Sequence, residues 1–228
     1  MSKTNWHEAS GKSISADEWF IKFRDDIPIC KVCNSSLTFV ATARNQRTTH
    51  FRHPDNSNCP TVKFNSKLYE NFRPKEKDYQ NARKLKEWVI DNPYLLFRQM
   101  WKILGGSIRY SEFTDILTAA NKRQIWYYVG LEVEMLPYTL LVNYGLFPKL
   151  KDRTGREREM YMAFESNLSS YEEIWNKPSS EAKYIFRIYR DTSSTNEYEL
   201  VRIGDIMLPE NLTTPDFMDY YLKKANLI

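Results

Sequence analysis

The stretch Pro28-Ile29-Cys30-Lys31-Val32-Cys33, followed after sixteen residues by His50-Phe51-Arg52-His53 and after five more by Cys59, decides how the first part of this chain folds. It holds all three cysteines and two of the three histidines of a 228-residue sequence. Two thiols separated by a two-residue turn can face one ion, and a structural zinc site closes a tetrahedron with thiolate and imidazole donors. A redox pair would instead open a helix inside a βαβ unit, whereas Lys31-Val32 leads into β-rich sequence. The cluster therefore predicts a Zn2+ site. A small β-rich section with few large aliphatics needs such a staple to stay folded.

Five donors compete for four places. If His50 to His53 continues a strand, residues three apart point to opposite faces, so both imidazoles cannot easily reach one ion. A helical turn would bring them together, but Pro54 pushes His53 out of the helical region. Leu37 to Thr42 and Thr48 to Phe51 predict a hairpin turning near Asn45-Gln46. Folding it there places Cys33 opposite residue 58, beside Cys59, and leaves His50 opposite Ala41, roughly 25 Å away along a strand. A bend at Pro54 brings His53 in. The expected ligands are Cys30, Cys33, His53 and Cys59, with His50 as the alternate, a neighbour of the site or a surface residue.

Outward from this cluster the chain changes character twice. Asn5 to Ala9 and Ser13 to Ala16 predict two short strands around Gly11-Lys12. From residue 62 to 150 helical spacing dominates. Tyr79, Ala82, Leu85, Trp88 and Val89 form one stripe, closed by Asn92-Pro93, and Leu96, Phe97, Met100, Trp101 and Leu104 another, closed by Gly105-Gly106. Ser111 is the expected N-cap of a helix to Ala120. Gln124 to Met135 reads as helix by length, and Pro137 to Phe147 is a further apolar stretch. Residues 151–228 predict strands at Met160–Glu165, Tyr184–Arg190 and Tyr198–Ile203, a short helix at Ser170–Trp175 and a terminal helix at Pro215–Ala225. The expectation is an α+β fold, with a zinc-binding β-hairpin region over residues 1–61 and an α+β domain over residues 62–228.

Hydrophobic residues at 42% and aromatics at 14% suffice for a packed core. No apolar run reaches membrane-spanning length, the first residues lack the apolar segment of a signal peptide, and an odd cysteine count argues against a disulfide framework. A cytoplasmic setting without membrane association is expected. The net charge of +4 conceals an asymmetry: eleven Lys and Arg face five acids between Val40 and Glu87. Arg44, Arg47, Arg52, Lys63 and Lys67 are the candidate contacts to a DNA or RNA phosphate backbone. The dense run Trp126-Tyr127-Tyr128 reads as core before it reads as a base-stacking surface.

The hairpin sequence Ala9-Ser10-Gly11-Lys12-Ser13-Ile14-Ser15, the Cys-x2-Cys pair, His50-Phe51-Arg52-His53 and Cys59 together resemble the N-terminal zinc-finger region of competence CoiA-like proteins. The resemblance covers about residues 5–60. It implies the same four metal ligands, His50 as the first histidine of the motif, and a bacterial or phage setting of DNA uptake, recombination and mobile elements. Such proteins often continue into a nuclease domain, which needs acidic residues and a lysine on adjacent strands to hold magnesium. Glu132-Val133-Glu134 and Glu197-Tyr198-Glu199 pair acids without that lysine. The expected function is that of a zinc-stabilised, non-catalytic, nucleic-acid-associated protein. A protein-interaction adaptor is the first alternative, and a divergent magnesium-dependent nuclease the second.

Overall fold

The computed structural model of the chain describes residues 4–7, 12–40, 49–62, 68–150, 155–164, 170–175, 184–190, 197–204 and 212–228. The fold is α+β, with antiparallel pairing in each of its sheets. Strands β1 (Thr4–His7) and β2 (Lys12–Ser15) form a hairpin with Asn5 opposite Ile14. Helix α1 (Ala16–Lys22) follows at once, an element that the strand reading of Ser13 to Ala16 passes over. Its signal was present: Ser15 precedes Glu18 by three, and the Ser15 hydroxyl accepts the Glu18 amide at 3.1 Å as an N-cap. Strands β3 (Thr38–Val40) and β4 (His50–Arg52) pair with Phe39 opposite Phe51. Trp19 of α1 meets Phe51 edge-on, with ring centroids 5.5 Å apart.

The helical middle starts with α2 (Tyr79–Asp91), whose N-cap is Asp78, and α3 (Pro93–Ile103), which begins on the proline that the sequence reading gives only as the close of α2. Helix α4 (Tyr110–Arg123) is capped by Arg109 and not by Ser111. Glu112 decides this: its Oε2 accepts the Arg109 amide at 3.0 Å, while its Oε1 takes Arg156 Nη2 in a buried ion pair. Gln124 to Met135 is not a helix. Gln124 turns left-handed at φ 61° and ends α4, leaving short 3-10 turns at Ile125–Tyr127 and Val133–Met135 on either side of Gly130. Helix α5 (Leu136–Tyr144) is buried from Leu136 to Asn143, as befits a helix apolar all round.

Gly145, at φ 96°, turns the chain out of α5, and Leu146–Phe147 becomes the edge strand β5 instead of prolonging the helix. The sheet order is β5-β6-β7-β8, with β6 at Glu159–Phe164, β7 at Tyr184–Arg190 and β8 at Glu197–Arg202. A short helix α6 (Glu172–Trp175) lies in the connection between β6 and β7. The last helix, α7 (Met218–Lys224), is tied to α4 by Asn121 Nδ2, which donates to the Ala225 carbonyl at 2.9 Å. The hydrophobic core is continuous from Ile14 to Ala225 and includes Phe51, Leu85, Leu96, Trp126 and Phe186. No helix among the described residues is long and apolar enough to cross a membrane.

Candidate metal centre

Cys30 and Cys33 sit on a tight knuckle. An isolated bridge joins Ile29 to Ser36. Within it the Cys30 amide donates to Ser35 O at 2.9 Å and the Asn34 amide to Cys30 O at 2.7 Å. Asn34 takes the left-handed conformation at φ 55° that closes such a turn. Fully buried Val32 anchors it. The hairpin ladder therefore does not extend to Cys33, and its register pairs Val40 with His50, one residue from the expected Ala41. After Arg52 the chain leaves the strand. Pro54 begins a turn in which the Ser57 amide donates to Pro54 O, with Asn56 at φ 65°, and this carries Cys59 back toward Cys30.

The ligand atoms of Cys30, Cys33, His53 and Cys59 all lie within 4.8 Å of one another, close enough to hold a metal ion. Cys30 and Cys59 Sγ are 3.7 Å apart. The three sulfurs are buried, and none is in a disulfide. His53 Nε2 is buried with no hydrogen-bond partner outside the sulfurs of the cluster itself, an arrangement that leaves a nitrogen costly unless something fills its coordination. Hydrogen bonds from Cys30 and Cys59 hold the Cys33 thiol far below the usual thiol range. Cys59 is pushed up by Cys30, Cys33 and its own burial. Burial works against a charged His53, but the Cys30 and Cys33 sulfurs outweigh it and raise the imidazole to about 9. Metal-free, the cluster shares its protons unevenly; a divalent ion would displace them all. Thr61 Oγ1, 3.1 Å from Cys59 Sγ, is placed to donate to that sulfur as a thiolate.

The centre does not stand apart from the rest of the chain. The Tyr161 hydroxyl on β6 donates to the Pro60 carbonyl, next to Cys59. Tyr69, from the 3-10 turn Leu68–Asn71, accepts the Phe164 amide at 3.1 Å. Burial raises the hydroxyls of Tyr69, Tyr161 and Tyr198, and Cys59 adds to the effect in each case; Cys30 and Cys33 also reach Tyr198 on β8. Tyr161 and Tyr198, which the spacing of donors gives no reason to single out, link strands β6 and β8 to the cluster.

His50 lies outside the four-residue group, buried on β4 and not on the surface. Arg52 is exposed at the end of the same strand. Arg44, Arg47, Lys63 and Lys67 lie outside the described residues. Glu132 and Glu134 are exposed at a 3-10 turn, and Glu199 is engaged on β8 by Arg187 at 3.1 Å and by the Tyr189 hydroxyl at 3.0 Å. The aromatic run divides: Trp126 and Tyr128 are fully buried, whereas Tyr127 reaches the surface. No family model matches this chain, and no curated protein or solved structure matches it.

Proposed function

We propose that the chain is a zinc-stabilised, non-catalytic, nucleic-acid-associated protein. The observation that carries the reading is the Cys30, Cys33, His53, Cys59 group, its three cysteines buried and His53 half-buried, next in sequence to the basic part of the chain. Three thiols and an imidazole form a donor set suited to zinc. A tetrahedron with Zn–S bonds of about 2.3 Å has a sulfur–sulfur edge of about 3.8 Å, and the 3.7 Å between Cys30 and Cys59 fits it. The ion's role is structural, since all four positions are filled by protein and none is left for a substrate. Arg52, exposed one residue before His53, supplies a phosphate contact held by the centre; Arg44, Arg47, Lys63 and Lys67 are the further contacts proposed from the sequence.

Binding through such cations is largely independent of base sequence and weakens steeply with salt. A gel-shift titration at low salt tests it, with retardation of DNA or RNA expected and the absence of binding to either refuting it. The likeness of residues 5–60 to CoiA-like proteins favours a bacterial or mobile-element setting.

A protein-interaction adaptor is the second reading, favoured by the aromatic ladder on α7. Phe217 and Tyr220 are exposed there, and Tyr110 contacts Phe217 and Tyr221 at ring-centroid distances of 5.0 and 5.2 Å. A partner complex on size exclusion that persists in the Arg44→Glu, Arg47→Glu variant but is lost with Tyr220→Ser would favour this reading.

A further inference from the structure

Helix α2 carries two stripes. Ala82, Leu85 and Val89 are buried against the core. On an adjoining face Tyr79, Arg83, Lys86 and Ile90 follow one another at steps of three and four residues, about 16 Å along the helix. Tyr127 flanks this stripe, and the two elements enclose a shallow groove of about 280 Å³. Tyr79 is 67% exposed, an unusual position for a large ring at the start of a helix with a well-packed adjoining face.

The groove is held rigidly. The Asp78 amide donates to Tyr127 O at 2.9 Å, and Asn81 Nδ2 donates to Leu131 O at 2.8 Å, so α2 and the turn carrying Tyr127 are locked together. The two tyrosine rings meet edge to face with centroids 5.2 Å apart. Lys77 Nζ lies 5.7 Å from the Tyr127 ring centre. Three cations, Lys77, Arg83 and Lys86, border the groove against one carboxylate, Glu87. Glu87 pairs with Arg83 at 2.7 Å in an exposed ion pair, which is worth little in water and can yield to a phosphate. Asp78, nearby, is occupied as the N-cap, its Oδ1 accepting the Asn81 amide at 2.8 Å.

From these observations we infer that the Tyr79–Tyr127 groove on α2 is a binding site for single-stranded nucleic acid. Unpaired bases stack on exposed Tyr79, and Lys77, Arg83 and Lys86 track the phosphates. A duplex keeps its base faces covered and finds only the cations. Aromatic faces accept every base, so the site discriminates strandedness and not sequence. This inference rests on the nucleic-acid reading above and assigns it a substrate class and a place.

The test is fluorescence anisotropy of the full chain with three labelled oligonucleotides of one sequence: single-stranded DNA, single-stranded RNA and duplex DNA. A single strand of either sugar is expected to bind more tightly than the duplex. Tyr79→Ala is expected to weaken single-strand binding roughly 5- to 30-fold and leave duplex binding unchanged, while Tyr79→Phe retains it. The exposed ring can be removed without opening the core, and a second variant, Arg83→Glu with Lys86→Glu, is expected to lower the salt dependence. Unchanged single-strand affinity in Tyr79→Ala, or equal losses for strand and duplex, overturns the groove alone. No binding of the unaltered protein to any of the three overturns the groove and the nucleic-acid reading together.

Discussion

Removing His53 and removing His50 should have opposite consequences, although the two imidazoles are three residues apart in one motif. His53 completes the four-residue group, and its Nε2 has no other partner. A structural zinc centre contributes about 10–16 kcal/mol at neutral pH, so one of four donors accounts for roughly 3 kcal/mol. His53→Ala is then expected to weaken zinc affinity by roughly 100-fold or more, with the knuckle and the turn at Pro54 loosening as the ion departs. His50, 8% exposed on β4, lies outside the group. His50→Ala opens a void in a packed region and should cost about 1–3 kcal/mol of stability while keeping one zinc per chain. The assay is a competition titration against a chromophoric chelator, with metal content by mass spectrometry under native conditions and a urea melt on each variant. Retained zinc and an intact fold in His53→Ala, together with zinc loss in His50→Ala, would refute the assignment.

Because the Tyr161 hydroxyl donates to the Pro60 carbonyl and the cluster's sulfurs raise the Tyr198 hydroxyl on β8, chelation should reduce amide-exchange protection in β6 and β8 as well as in the knuckle; unchanged protection in the sheet would show that the two are uncoupled. Glu112→Gln leaves the buried Arg156 guanidinium without its counter-charge and should lower stability by about 3–4 kcal/mol in denaturant titration, with metal content unaffected; a loss below about 1 kcal/mol contradicts that account. With His53 raised to about 9 in the metal-free cluster, its proton favours the metal-free fold fully below its unfolded value and loses that effect as pH rises through about 9. Metal affinity, measured from pH 6 to 9, should therefore climb with proton release, and a flat profile would contradict the shared-proton picture.

The helices α2 and α3 and the strands β6, β7 and β8 were legible because their apolar residues recur at one period over seven or more residues or between clear breakers. Helix α1 was missed although its Ser15 cap was written in the chain, because the preceding β2 strand absorbed it. Gln124 to Met135 misled for a different reason. Its apolar density reflects burial from several sides, Trp126 and Tyr128 pointing inward from irregular backbone, and density carries no period. Ser111 lost the cap of α4 because Glu112, recruited by Arg156 from 44 positions away, organises that terminus instead.

The four donors lie within one short window of chain, and local rules suffice there: a two-residue knuckle, a proline that ends a strand, and a turn that returns Cys59. Scarce residues at close spacing leave few other arrangements. What surrounds the centre follows no such rule. Strands β6 and β8, whose Tyr161 and Tyr198 are coupled to it, lie more than a hundred residues beyond Cys30, and Tyr79 and Tyr127 meet across 47 residues of intervening chain. Contacts of that span are set by how amphipathic faces pack into one core. Spacing along the chain specifies each face but not the partner it finds.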